Sequence, residues 1–245
     1  MTPTLTPPAV GMAGAIAWAS VHHGFTRSPR HLAGIATLLS AAGIATVRPS
    51  TSGLMPRRSI HDRGHLTRRA IERAVHAEVQ GLGDLPWIGI GHSAGSAVAL
   101  LEAAVRLENG FSVAGVILLD GTDTIGGVAK LPDAPILLIS NPPSKCNAQG
   151  ALTERIRESR EGFVGLTIEG GGHGDAERIG SGGPGHVPAI YRFACGDHSA
   201  AEDVAIAESL LRGWVVDLAL GRELTLRPGH AVVSGWVLAD RVAEI

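Results

Sequence analysis

The chain is poor in aromatic residues, poor in cysteine and nearly balanced in charge, and each shortage removes a class of function. Phe, Trp and Tyr make up 4% of the 245 residues, too few for a surface on which nucleobases stack. Lys and Arg number 21 against 23 Asp and Glu, and the basic residues are dispersed, so no nucleic-acid partner is expected. Cys146 and Cys195 are too few for a disulfide scaffold and lack metal-ligand spacing. Read as those of an intracellular chain, they are expected to be two independent thiols, although their loop positions leave a single late bridge open. The first ten residues lack the basic n-region of a secretory signal, and the apolar stretch from Val10 to Val21 is too short to span a bilayer. The expectation is therefore a cytoplasmic protein without a membrane span, although a chain whose leader had been removed would read the same.

Apolar residues make up 44%, enough for a buried sheet with helices on both faces, and the length suits one doubly wound α/β domain over 1–245. Short apolar runs alternate with longer amphipathic ones. Strands are predicted over Ala15–Val21, Ile44–Val47, Trp87–Gly91, Ser112–Leu119, Ala134–Ser140 and Phe163–Ile168, nearly continuous in apolar character, as strands covered on both faces are. Helices are predicted from Ser28-Pro29 to near Gly43, with Ser28 as N-cap, and over Leu66–Val79, Ala97–Leu107 and Ala201–Leu220. Ser50–His65 and residues 170–200 read as loops, and 222–245 as a tail whose run Ala231–Leu238 is a candidate extra strand. Such alternation implies a mostly parallel sheet with right-handed crossovers.

The chemistry gathers at Gly91-His92-Ser93-Ala94-Gly95, a G-x-S-x-G with a strand (WIGI) before it and a small-residue helix (SAVALLEAAV) after it. That context defines a nucleophile elbow, in which a sharp turn presents the Ser93 hydroxyl at a helix N-terminus. A serine needs a base, and His173 follows a late strand inside the glycine-lined turn Gly170–Gly174. His186 and His198, further along the same loop, are rival bases. The acid expected to orient the imidazole is Asp120, at the end of the strand after the elbow helix, with Asp123 as substitute. The chain order Ser93, Asp120, His173 is the order of α/β-hydrolase triads. Two backbone amides, of Phe25 and Ala94, are the candidate oxyanion donors. Gly24 lets the first of them come close, and Gly24 and His92 are expected beside the bound substrate. His22 and His23 are expected to hold that loop through side-chain hydrogen bonds.

These residues give the chain a resemblance to the chlorophyllase-like and cutinase-like (polyester hydrolase) branch of the α/β-hydrolases. It rests on VHHGF at 21–25, AAGIATVRP at 41–49, GHSAG at 91–95, LLDGTD at 118–123 and GGGHGD at 170–175, over roughly residues 15–220. The elbow is its one specific motif. Chlorophyllases place the acid after the strand that follows the elbow helix, as Leu119-Asp120-Gly121 does with Gly in place of Pro. Polyester hydrolases place it one strand later, where this chain has Asn141, and Ala94 stands where chlorophyllases carry Arg. The resemblance implies an α/β-hydrolase fold, shortened at the N-terminus so that the outermost antiparallel strands are missing. It also implies a carboxylic-ester hydrolase acting on a small-molecule ester through an acyl-enzyme, with no metal or organic cofactor. The same triad would serve a thioesterase or an acyltransferase. The contrasting reading is a non-catalytic binding module, supported by the missing acid after Ala134–Ser140.

Overall fold

The computed structural model describes residues 4–25, 27–50, 82, 84–123, 131–181, 189–195 and 199–245. Eight strands form one sheet: β1 (Thr4–Thr6), β2 (Ala17–His22), β3 (Ile44–Arg48), β4 (Trp87–His92), β5 (Val113–Leu119), β6 (Ile136–Ser140), β7 (Gly165–Ile168) and β8 (Val242–Glu244). Their spatial order is β1-β3-β2-β4-β5-β6-β7-β8, parallel from β3 through β7, with β1 and β8 antiparallel at the two edges. Six α-helices accompany them among the described residues: α1 (Ala33–Ala41), α2 (Gly95–Glu108), α3 (Ala151–Ser159), α4 (Ala189–Cys195), α5 (Ala201–Ala219) and α6 (Ala231–Leu238).

The apolar runs of the central strands are explained by burial on both faces. Ile88, Ile90, Ile117 and Leu119 point to a core shared with Ile35 and Leu39 of α1 and Leu210 and Trp214 of α5. Their neighbours Trp87, Val116 and Leu118 point the other way, to Ala97 and Leu100 of α2 and Ile156 of α3. Side chains two apart thus share a face, and each face has its own helical layer. Among the described helices α2 is the most enclosed, buried along nearly its whole length, and Ala, Gly, Val and Leu make up ten of its 14 residues.

The strand order reverses beside β2: the chain runs from β2 outward to β3, then returns to the opposite side of β2 as β4 and continues to β7. In open α/β sheets that reversal opens a crevice at the carboxyl ends of the strands, where ligands bind. In register, His22 pairs with Gly91, His92 with Leu119 and Leu119 with Ile139, so the loops after β2, β4, β5 and β6 leave the sheet at one edge.

Several local expectations are corrected. An outer antiparallel strand is present: β1 pairs with β3 through Thr4–Arg48, Leu5–Val47 and Thr6–Thr46. Ala231–Leu238 is a helix, not a strand; α6 buries Val233 and packs Trp236 on the core, and the His230 side chain caps it by accepting from the Val232 amide at 3.3 Å. An eight-residue apolar run fits either period, and here the added strand is Val242–Glu244. The loop at 170–200 carries a 3₁₀ turn, Asp175–Glu177, and α4. The segment opening at Ser28-Pro29 begins as a 3₁₀ turn, Pro29–Leu32, before α1. Cys146 and Cys195 are not independent thiols but form a disulfide, since the turn before α3 and the end of α4 meet in space, 5.3 Å apart at Cα. The expected loop over Ser50–His65 (beyond Ser50 itself) and helix over Leu66–Val79 lie outside the described residues.

Candidate active site

Ser93 follows β4 directly, with φ +54°, a left-handed backbone that a non-glycine residue adopts only when its surroundings impose it. Here the surroundings are backbone bonds to the next strand: the Ser93 amide donates to the Leu119 carbonyl (3.1 Å), and the Ser93 carbonyl accepts from the Thr122 amide (3.0 Å). Two glycines make the close fit possible. A Cβ on Gly95 would run into the His22 carbonyl oxygen, and one on Gly24 would stand 2.9 Å from Ser93 Cβ and 3.2 Å from its Oγ. The loop after β2 therefore lies against the turn at Ser93, with Phe25 half-buried and its side chain on the α2-side core. The Ala94 amide is next to it at the N-terminus of α2, among the amides that have no acceptor within the helix.

The structure brings Ser93, His173 and Asp120 together. His173 Nε2 is 2.9 Å from Ser93 Oγ, and its Nδ1 is 2.5 Å from Asp120 Oδ2. All three are buried, with exposures of 8% or less. Asp120 directly follows β5 in the left-handed region (φ +44°), which Asp tolerates better than most residues, and its amide donates to the Ile139 carbonyl at 2.9 Å. Its other carboxylate oxygen accepts from the Asn141 amide (3.1 Å) and from Asn147 Nδ2 (2.9 Å). Asp123 is elsewhere, paired with Arg155 at 3.3 Å. His186 and His198 lie outside the described residues.

The turn that carries His173 is fixed from three sides. Asp175 Oδ2 accepts from the Gly172 amide (2.8 Å), Asn141 Nδ2 donates to the Gly172 carbonyl (2.8 Å), and His92 Nε2 donates to the His173 carbonyl (2.7 Å). His92 is itself buried. Burial, with His173 beside it, pushes its pKa down to about 3, against the weaker upward effect of that carbonyl bond, so it is neutral at physiological pH. Burial raises the Asp175 and Glu177 carboxyls, opposed in Asp175 by Ser199, Gly172 and Arg178 and in Glu177 chiefly by Arg27. Arg27 grips Glu177 with two nitrogens, at 2.5 and 2.8 Å, tying the loop after β2 to the turn after His173. A cleft of about 440 Å³ opens beside His173, between Asn141–Ser144 and Glu169–Gly172, with Cys195 at its wall.

Behind β2 is a buried cluster that no sequence motif announced. Glu102 of α2 accepts from Ser20 (2.9 Å) and His22 Nε2 (2.7 Å) on one oxygen and from Arg106 (3.1 Å) on the other. The Arg106 guanidinium lies 4.5 Å from the Trp18 ring and 4.7 Å from that of Trp87, whose Nε1 donates to Ser20 (3.0 Å). Burial would raise the Glu102 carboxyl, but the His22 and Arg106 contacts outweigh it and hold it at about 2. His22 thus holds its loop through a side-chain bond, as does His23, whose Nδ1 is 2.9 Å from the Gly24 carbonyl. Sequence reasoning misses Asn141, Asn147, Glu102 and Arg106: Asn141 and Asn147 act across 21 to 31 positions and Glu102 across 80 and 82, while Arg106 acts through Glu102 four residues before it; the only trace in sequence is the amide that stands after β6 where an acid is expected.

Among the described residues, no group of three or more His, Cys, Asp or Glu is placed to hold a metal ion, and no helix is long and apolar enough to cross a membrane.

The sheet, its reversal and the turn at Ser93 are those of the α/β-hydrolase fold. Among solved structures the chain is similar to Est1E from Butyrivibrio proteoclasticus (TM-score 0.61, 12% identity, over 89% of this chain and 94% of that one). It is similar also to a ferulic acid esterase from Streptomyces cinnamoneus (TM-score 0.63, 18% identity, over 98% and 74%). A third such structure is an α/β serine hydrolase homologue from Coxiella burnetii (TM-score 0.52, 14% identity, over 72% and 85%). No protein-family model and no curated protein matches the chain.

Proposed function

We propose that this protein is a serine hydrolase that cleaves carboxylic esters through an acyl-enzyme. The observation that carries the reading is the unbroken run from Ser93 Oγ through the His173 ring to Asp120, at 2.9 and 2.5 Å. His173 Nε2 takes the Ser93 proton as Oγ attacks the ester carbonyl. Asp120 holds Nδ1–H and stabilises the imidazolium that forms. The negative charge on the carbonyl oxygen falls to the Phe25 and Ala94 amides, and the close approach of Gly24 to Ser93 supports that assignment. Collapse expels the alcohol, which receives its proton from His173 Nε2. Water then attacks the acyl-enzyme with His173 as base, releasing the acid and restoring Ser93. The acid directly after β5 supports a chlorophyllase-like rather than polyester-hydrolase placement of the triad within the fold.

The test is covalent labelling. A fluorophosphonate probe is expected to add one adduct to the protein, read by intact mass, and none to Ser93→Ala. A folded protein that takes no adduct overturns the triad and moves the binding-module reading to first place. Turnover is then measured on short-chain p-nitrophenyl esters and on methyl ferulate, the latter because the Streptomyces cinnamoneus protein is a ferulic acid esterase.

A further inference from the structure

Asp120 serves two masters with its two oxygens. Oδ2 holds His173, and Oδ1 is held by the Asn141 amide and by the Asn147 side chain. Asn147 is 2% exposed, and its amide is fully engaged. Its Oδ1 accepts from the amides of Ser144 (2.8 Å) and Gly150 (3.1 Å), while its Nδ2 donates to Asp120 and to the Pro142 carbonyl (3.0 Å). These partners fix which end of the amide faces the carboxylate, since two amide donors can only meet the oxygen. Capping the turn requires Oδ1 alone; the donor aimed at Asp120 is additional.

The chain on either side of Asn147 is constrained to keep it there. Ala148 and Gln149, which follow, both take left-handed backbone (φ +54° and +59°), an expensive pair of conformations for residues with a Cβ. Cys146, which precedes, is bonded to Cys195 at the end of α4, 49 residues away. We infer that Asn147 is a positioning residue for Asp120 and that the Cys146–Cys195 disulfide holds it in place. This rests on the triad reading above. A neutral donor on Oδ1 fixes the rotation of the carboxylate while leaving its charge for the imidazolium, which a cation in that place would compete for.

The discriminating variant is Asn147→Asp. It keeps an oxygen for Ser144 and Gly150, and so keeps the turn, but sets a second oxygen 2.9 Å from Asp120 Oδ1 where the donor was. Fluorophosphonate labelling and turnover of p-nitrophenyl acetate are measured on the intact protein and the variant, with circular dichroism to verify folding. The expected result is a fall in kcat of roughly 100-fold, the scale of a misplaced catalytic group, with KM within about threefold and labelling slowed in parallel. A folded variant with kcat within about twofold of the parent overturns the inference.

The disulfide is tested by reduction with dithiothreitol, in which two thiols of the reagent become its cyclic disulfide as Cys146 and Cys195 become thiols. Reduction is expected to lower kcat several-fold with KM unchanged, to do so reversibly, and to add nothing in Asn147→Asp, where the contact is already lost. If Asn147→Asp does not fold, the reduced parent decides: unchanged kcat overturns the inference. Equal slowing of parent and variant on reduction overturns the link between bridge and Asn147. A parent protein that takes no phosphonate label overturns the triad reading and this inference together. Labelling of parent and variant at equal rates overturns this inference alone.

Discussion

The two sides of the site are held by different means. Around Ser93 the supporting contacts are backbone to backbone, between the elbow, β5 and the loop after β2, with glycines where they come closest. Around Asp120 and His173 they are mostly side-chain bonds: Asn147 to Asp120 and Asn141 to the Gly172 carbonyl from the segment after β6, His92 from the end of β4, and Asp175 from within the His173 turn itself. The layers behind them differ in charge as well. Behind β2 the loop is anchored by a buried carboxylate and guanidinium, Glu102 and Arg106, whereas Asp120 is braced by neutral amides. A nucleophile fixed by backbone is sensitive to added volume and insensitive to most side-chain changes. An acid and base fixed by side chains can be detuned one hydrogen bond at a time.

That contrast can be broken from either side. The largest effect is expected at Asp120: Asp120→Asn should lower kcat on p-nitrophenyl acetate by about 10⁴-fold with little change in thermal midpoint, because the wrong tautomer is presented to Ser93. A loss below tenfold would place the acid elsewhere. Next comes Glu102→Ala, which removes the buried carboxylate that Ser20, His22 and Arg106 share and should cost about 3–5 kcal/mol in urea unfolding. The pH dependence sharpens this. Glu102 is held at about 2 in the folded protein against 4.5 when unconstrained, so its contribution is complete above pH 4.5 and is lost as pH falls from there toward 2. The gap between parent and variant should close over that window.

Gly24→Ala tests the backbone side. Its Cβ would stand 2.9 Å from Ser93 Cβ, tighter than packed atoms tolerate, so the loop must withdraw. The expected loss is about 100-fold in kcat, with unfolding free energy changed by less than in Glu102→Ala. An unchanged kcat would show that the loop after β2 takes no part in the chemistry. The smallest effect belongs to His92. Its folded pKa of about 3 lies below the ordinary 6.5, so the unfolded chain gains a proton first and stability falls as pH drops below 6.5. His92→Gln should remove that fall, amounting to about 1 kcal/mol between pH 6.5 and about 5.5, while still offering a donor to the His173 carbonyl.

Much of this was legible along the chain because its signals are local. The six central strands are short apolar runs, the elbow is five consecutive residues, Asp120 directly follows a strand and His173 stands in the glycine turn beyond one, so periodicity and turn chemistry point to each of them. The tail is ambiguous in sequence because the run AVVSGWVL fits a strand or a helix equally, and the cap at His230 and the core contacts of Val233 and Trp236 settle it only in three dimensions. The disulfide was not legible because two cysteines 49 residues apart carry no spacing signal.

The sequence by itself determined the class of fold and the turn that presents Ser93, since the strands, the elbow and the helix after it are written in contiguous residues whose backbone preferences and burial pattern are their own. Only the tertiary structure decided what surrounds Ser93, His173 and Asp120: Asn147 on Asp120, His92 on the His173 carbonyl, Glu102 under His22, and Cys146 on Cys195. The reason is geometric. A hydrogen bond or disulfide between residues 27 to 81 positions apart costs nothing in local conformation and leaves no local trace; it exists only once the sheet has brought the carboxyl ends of its strands to one edge.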